Sequence, residues 1–152
     1  MKGINMIGLE FKYNPGYKQF LNDLLKNIDF SKLSVNILQQ EIIYEGNLPC
    51  ELYGKVTGGE FKKCISENGK YFISYLNMAI YSDDSKIRDI KNYNDFENSD
   101  CKLYILICDG MYYEIYFNDS NIKNIILYNL KKIKINYTEK TKDNDGRNEF
   151  WI

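Results

Sequence analysis

The stretch Lys102-Leu103-Tyr104-Ile105-Leu106-Ile107-Cys108-Asp109-Gly110-Met111-Tyr112-Tyr113-Glu114-Ile115-Tyr116-Phe117-Asn118 decides the fold. Asp109 and Gly110 both tolerate the positive φ of a two-residue type I′ turn, so Lys102 to Cys108 and Met111 to Asn118 read as the arms of a β-hairpin. The first arm is nearly all apolar, as expected of a central strand covered on both faces. The second alternates, which sets Tyr112, Glu114 and Tyr116 on one face. Beyond the hairpin, Asp119-Ser120 opens a helix whose Ile122, Ile125, Ile126, Leu130 and Ile133 form an apolar stripe. A closing hairpin is expected from Ile133 to Thr138 and from Asn148 to Ile152, around Asp145-Gly146.

Upstream, the polar and acidic run from Ser82 to Asp100 holds a short helix over Tyr93 to Asn98, with Asn92 as its cap. Tyr71 to Tyr81 reads as a strand. Strict alternation places Phe72, Leu76, Met78 and Ile80 on one side, and Tyr71, Tyr75 and Tyr81 together on the other. At Val56-Thr57-Gly58-Gly59-Glu60-Phe61 a threonine cap, a glutamate three residues on and two staple positions start a helix that ends by Asn68-Gly69. The β-favouring run Ser34 to Tyr44, broken by Gln39-Gln40-Glu41, is two strands or one bent strand. A first strand covers Ile4 to Phe11. Asn14-Pro15 then introduces a helix in which Tyr17, Phe20, Leu21, Leu24, Leu25 and Ile28 repeat with helical spacing. The expected architecture is a single α+β domain over residues 1–152, a mostly antiparallel sheet of about five to seven strands with two long amphipathic helices packed on it.

Several of these residues also carry a resemblance. Ser99-Asp100-Cys101, then Leu103, Ile105, Leu106, Ile107 and Asp109, then Tyr113, Ile115 and Tyr116, and the tail Asn144-Asp145-Gly146-Arg147 closing on Trp151 resemble a small bacterial family of about this length. It is a domain-of-unknown-function family met mainly in Gram-positive bacteria. The opening strand and the helix that ends at Ile28-Asp29 are similar as well, while Ser34 to Gly54 departs most from the pattern. The resemblance implies one domain and carries over no activity and no catalytic residue.

Composition narrows the chemistry. With 20 isoleucines, 18 lysines, 18 asparagines and 14 tyrosines against one alanine, the chain has the bias of AT-rich codons, so its lysine and asparagine content says little about function. Its net charge is −1, and it contains no histidine. No Ser-His-Asp or Cys-His pair can therefore form, and no imidazole is available as base or ligand. Cys50, Cys64, Cys101 and Cys108 make no C-x-x-C pair, so no cofactor and no metal are expected. The longest apolar run, Leu103 to Cys108, is far short of the roughly 20 residues of a membrane helix. The amino terminus reaches Glu10 too early for a secretory segment. The expectation is a cytoplasmic protein with four reduced thiols.

Other candidates reduce to structure. Asp83-Asp84 are adjacent and point apart, and Gly58-Gly59 at a helix start are followed by Glu60, which opposes an anion. A calcium loop at Asp143-Asn144-Asp145-Gly146 would have Thr141 and Ile152 at its anchoring positions, where carboxylates are needed. Lys131, Lys132 and Lys134 read as a solvated helix end rather than a nucleic-acid patch. Tyrosine is the one feature with functional colour, because rigid amphipathic rings suit recognition surfaces. The candidate binding surface is Tyr71, Tyr75, Tyr81, Tyr112, Glu114 and Tyr116. The expected function is a non-enzymatic interaction module, such as a cognate inhibitor or regulatory partner of another cytoplasmic protein, working as monomer or homodimer with no nucleic acid and no membrane. The alternative is a small-molecule binder or carboxylate-dependent enzyme with a pocket near Glu114.

Overall fold

A computed structural model describes residues 6–16, 18–45, 52–67, 70–142 and 150. Among these residues seven strands form one sheet in the order β3-β2-β4-β5-β6-β1-β7, and every neighbouring pair is antiparallel. They are β1 (Met6–Lys12), β2 (Ser34–Tyr44), β3 (Gly54–Thr57), β4 (Tyr71–Tyr81), β5 (Cys101–Cys108), β6 (Tyr112–Phe117) and β7 (Thr138–Thr141). Helices α1 (Phe20–Leu24), α2 (Gly58–Glu67) and α4 (Ser120–Ile133) supply residues to the core on one face, and α3 (Tyr93–Glu97) to a second cluster on the other.

The hairpin forms as its turn chemistry requires. Asp109 has φ 53° and Gly110 φ 70°, and Leu103 to Cys108 pair with Phe117 to Tyr112. Its first arm, β5, lies between β4 and β6 and is buried on both faces from Leu103 to Ile107. Asp119 caps α4 by accepting from the Ile122 N–H at 2.9 Å, Asn92 caps α3 through the Asp95 N–H, and Thr57 accepts from the Glu60 N–H at 3.1 Å. The two long helices are α2 and α4. Leu9, Phe11, Ile37, Met78, Ile105 and Ile115 of the sheet meet Leu21, Phe61, Ile126 and Leu130 in the main core. At roughly 25 cal/mol per Å² of apolar area, this burial supplies most of the drive to fold.

Three features depart from the alternation and periodicity of the sequence. The helix expected from Asn14-Pro15 to Ile28 is only Phe20–Leu24, because Gly16 (φ 66°) and Asn27 (φ 72°) leave helical geometry and Lys18 bridges to Tyr71 instead. Phe20, Leu21, Leu24, Leu25 and Ile28 are still buried, since the turn after α1 keeps Leu25 and Ile28 on the core side, and Tyr17 lies outside the described residues. Ser34 to Tyr44 is one strand whose partners shift register between Ile37 and Gln39 and between Glu41 and Ile42. The second shift leaves Ser74 without a partner on β2, since Tyr75 faces Glu41 and Ile73 faces Ile42. A bulge adds one residue and reverses the phase of everything beyond it. The expected closing hairpin is replaced, in its first arm, by α4 running to Ile133 and by β7, which pairs with β1; Asp145-Gly146 and Asn148 lie outside the described residues.

Candidate functional site

Cross-strand pairs share a face, so the register lays out the outer side of the sheet, opposite the main core, in rows. One row runs Ala79, Tyr104, Tyr116, Gly8, Lys140. This row is roofed. Tyr93 and Phe96 of α3 pack on it, and the Phe150 ring lies 4.5 Å from Tyr104 and 4.9 Å from Tyr116, centroid to centroid. Gly8 has no side chain because the Tyr116 ring and the Ile115 carbonyl occupy the space where a Cβ would stand. Phe150 is tied down by its N–H to Lys91 O at 2.7 Å and by Asn77 Nδ2 donating to its carbonyl at 2.7 Å, while the Tyr104 hydroxyl donates to Asn77 Oδ1.

Towards the Asp109-Gly110 turn none of the described residues roofs the face to the same degree. Glu41 pairs with Tyr75, Ile43 with Phe72, and Cys108 with Tyr112, which in turn faces Lys12. Ile43 is 44% exposed and Tyr112 48% exposed. The Tyr75 hydroxyl donates to Asp109 Oδ1 at 2.8 Å, and that carboxylate pushes the phenol above its usual pKa. The Lys12 ammonium stands 5.5 Å from the centre of the Tyr112 ring, so that ring already accepts a cation on its face. The Phe72 ring fills the place a side chain at Gly110 would need.

Next to this band a hollow of about 510 Å³ is lined by Glu10, Lys12, Cys108, Tyr112, Glu114 and Thr138, among others. Glu114 in it is engaged. The Tyr116 hydroxyl donates to its Oε2 at 3.2 Å, and the buried Lys140 ammonium is 3.5 Å from the same atom and 3.4 Å from Glu10 Oε2. Lys140 also lies 5.7 Å from the Tyr116 ring centre. A carboxylate held by a lysine and a phenol is organised as structure, and a general base would have to give up these partners. Among the described residues no group of three or more Cys, Asp or Glu side chains is placed to hold a metal ion, and no helix is long and apolar enough to cross a membrane.

The six candidate residues separate into three settings. Tyr112, Glu114 and Tyr116 do share the outer face, but only Tyr112 stands open; Tyr116 is 0% exposed beneath Phe150. Tyr75 lies on the same face, partly buried. Tyr81 is fully buried in the roofed end and donates to Arg88 O at 3.0 Å. Tyr71 is on the opposite face, buried in the main core and donating to Ile65 O at 2.9 Å, because the bulge at Ser74 breaks the alternation that grouped it with Tyr75 and Tyr81. Tyr71, Tyr81 and Tyr116 are therefore core residues and are corrected as surface anchors. Residues the tyrosine pattern did not single out, Lys12, Glu41, Ile43, Phe72 and Cys108, complete the open band; only the strand register could have gathered them.

The thiols also depart from expectation. Cys101 and Cys108 are in no disulfide, but Cys64 is disulfide-bonded, and Cys50 lies outside the described residues. Burial pushes the Cys101 thiol up to about 12, which marks it as inert.

A model of the family described as "Protein of unknown function (DUF2691)" matches residues 6–151. The chain is also 24% identical over 127 residues to the "Uncharacterized protein YncE" of Bacillus subtilis (strain 168), an alignment that covers 80% of this chain and 82% of that one. No solved structure matches it. The resemblance carried by the β5–β6 hairpin and its flanks is borne out, and with the match running from the first residue of β1 to beyond Phe150, the chain belongs to the DUF2691 family of proteins of unknown function.

Proposed function

We propose that the protein is a non-enzymatic interaction module of the cytoplasm that binds another protein, as a cognate inhibitor or regulatory partner does, through the open end of its outer sheet face. The observation that carries this reading is the uneven roof: one end of the face is sealed by α3 and Phe150, while Ile43 and Tyr112 at the other end stand nearly half exposed beside Phe72 and Tyr75. Large apolar side chains gathered in a patch rimmed by Glu41, Asp109 and Lys12 match the make-up of an interface core with a polar rim. The engagement of Glu114 by Lys140 and Tyr116 supports binding over acid-base chemistry. Cys101 and Cys108, neither in a disulfide, suit a reducing compartment, and the Cys64 disulfide argues against one.

The hollow beside Glu114 favours a second reading, a small-molecule binder using Tyr112 and Glu114. Capture from native lysate with wild type, Tyr75→Ala and Tyr112→Ala separates the two. The interaction reading expects a protein captured by wild type and lost from Tyr112→Ala at unchanged stability. Equal capture by all three rejects it, and a melting shift with small molecules alone supports the second reading.

A further inference from the structure

A second groove, away from the outer face, follows the carboxy-terminal end of α4. It has a volume of about 670 Å³ and is lined by Leu127, Tyr128, Lys131, Lys134, Ile135 and Tyr137 together with one asparagine, with no carboxylate among the described residues of its wall. Lys131, Lys132 and Lys134 are exposed, and none makes an ion pair with another described residue. Tyr128 is 60% exposed, the open rim of an apolar floor made by Leu127 and Ile135.

The helix dipole explains part of this. Cations in a last turn complement the partial negative charge of the unsatisfied carbonyls, which accounts for Lys131 and Lys132. It does not account for Lys134. That residue is the αL cap of α4, at φ 67°, where its N–H closes on Leu130 O and Lys131 O. Glycine fits that conformation without strain, and a lysine there gives up backbone comfort to place an ammonium at the groove. Nor does the dipole explain a large aromatic ring left in solvent at a groove lined by two lysines.

We propose that this groove docks an acidic segment of a partner protein, with carboxylates meeting Lys131 and Lys134 and an apolar side chain settling against Tyr128, Leu127 and Ile135. Charge complementarity carries the choice of occupant. A chain of net charge −1 offers no long-range attraction to an extended nucleic acid, whereas a short acidic segment meets only the local basic field. Aliphatic floor residues also suit a leucine or isoleucine better than a stacked base.

The test is fluorescence anisotropy with the full chain and a short labelled peptide alternating glutamate and leucine, with a glutamine-for-glutamate version and a single-stranded oligothymidine as comparisons. The acidic peptide should bind, and bind more weakly as salt is raised. Lys131→Gln combined with Lys134→Gln should weaken it by about 5- to 10-fold, and Tyr128→Ala by about 10-fold. Lys134→Gly gives a readout that a purely structural role would not: binding weakens while the denaturant midpoint holds or rises, since the cap loses its strain. Tyr112→Ala should leave this binding unchanged, which keeps the result separate from the outer-face proposal. No binding of the acidic peptide, equal binding of the glutamine peptide, tighter binding of the oligothymidine, or Lys134→Gly binding as wild type would each overturn it.

Discussion

Replacing Tyr116 by alanine tests where the outer face is closed. The ring is fully buried, stacked 4.9 Å from Phe150 and packed against Phe96 and Tyr93 at 6.1 and 5.7 Å, and its hydroxyl donates to Glu114. Truncating a buried aromatic costs about 3–5 kcal/mol. The upper half of that range applies here, because Gly8 beneath the ring has no side chain with which to fill the void. With a urea m value of roughly 2 kcal/mol/M, a loss of about 4 kcal/mol lowers the midpoint by about 2 M. Tyr112→Ala, four residues earlier on the same face, removes a half-exposed ring and one cation–π contact worth about 0.5–1 kcal/mol, so its midpoint should move by less than about 0.5 M. Urea unfolding followed by circular dichroism compares the two variants directly. A Tyr116→Ala midpoint within about 0.5 M of wild type would refute the roofed end of the face.

Lys140→Met should cost about 1–3 kcal/mol, since it leaves the cross-strand neighbours Glu10 and Glu114 as facing like charges; adding Glu114→Gln should recover part of that loss, and a Lys140→Met protein as stable as wild type would contradict the ion-pair assignment. In thiol labelling read by mass spectrometry, Cys108 should react in the native protein, Cys101 only after unfolding, and Cys64 only after reduction; label at Cys64 without reductant would remove the disulfide. Stability should also fall at alkaline pH. Burial pushes Cys101 up to about 12 from 9.0, and burial with the Glu97 carboxylate pushes Tyr93 up to about 12 from 10.0. The unfolded chain therefore loses these protons first, so the contribution is complete below pH 9.0 and is lost as pH rises towards 12. Urea midpoints measured at neutral, moderately alkaline and strongly alkaline pH should fall in that order, and a flat series would count against these buried groups.

What could be read from the sequence was local. Asp109-Gly110, the Thr57 and Asn92 caps and the stripe of α4 each obey rules that span a few residues, and each element formed where those rules put it. The expected first helix failed because apolar spacing records which residues face the core and not the hydrogen bonds that bury them: Leu25 and Ile28 are buried from a turn. The tyrosine face failed for a related reason. Period two holds only while the ladder is unbroken, and the bulge at Ser74 carried Tyr71 to the other side. Tyr116 and Tyr112 have the same parity and opposite fates, because Phe150, more than thirty residues away in sequence, covers one and not the other. No local rule contains that contact.

The claim that the open end of the outer face is a binding surface is tested most directly by site-specific photo-crosslinking in living cells of the native host. A benzophenone amino acid placed at Tyr112, and in parallel at the exposed Asn124 of α4, reports what touches each position. A discrete crosslinked protein at Tyr112, absent at Asn124 and lost when Tyr75→Ala is added, is the predicted result. No crosslinked partner at Tyr112, or the same bands at both positions, would contradict it.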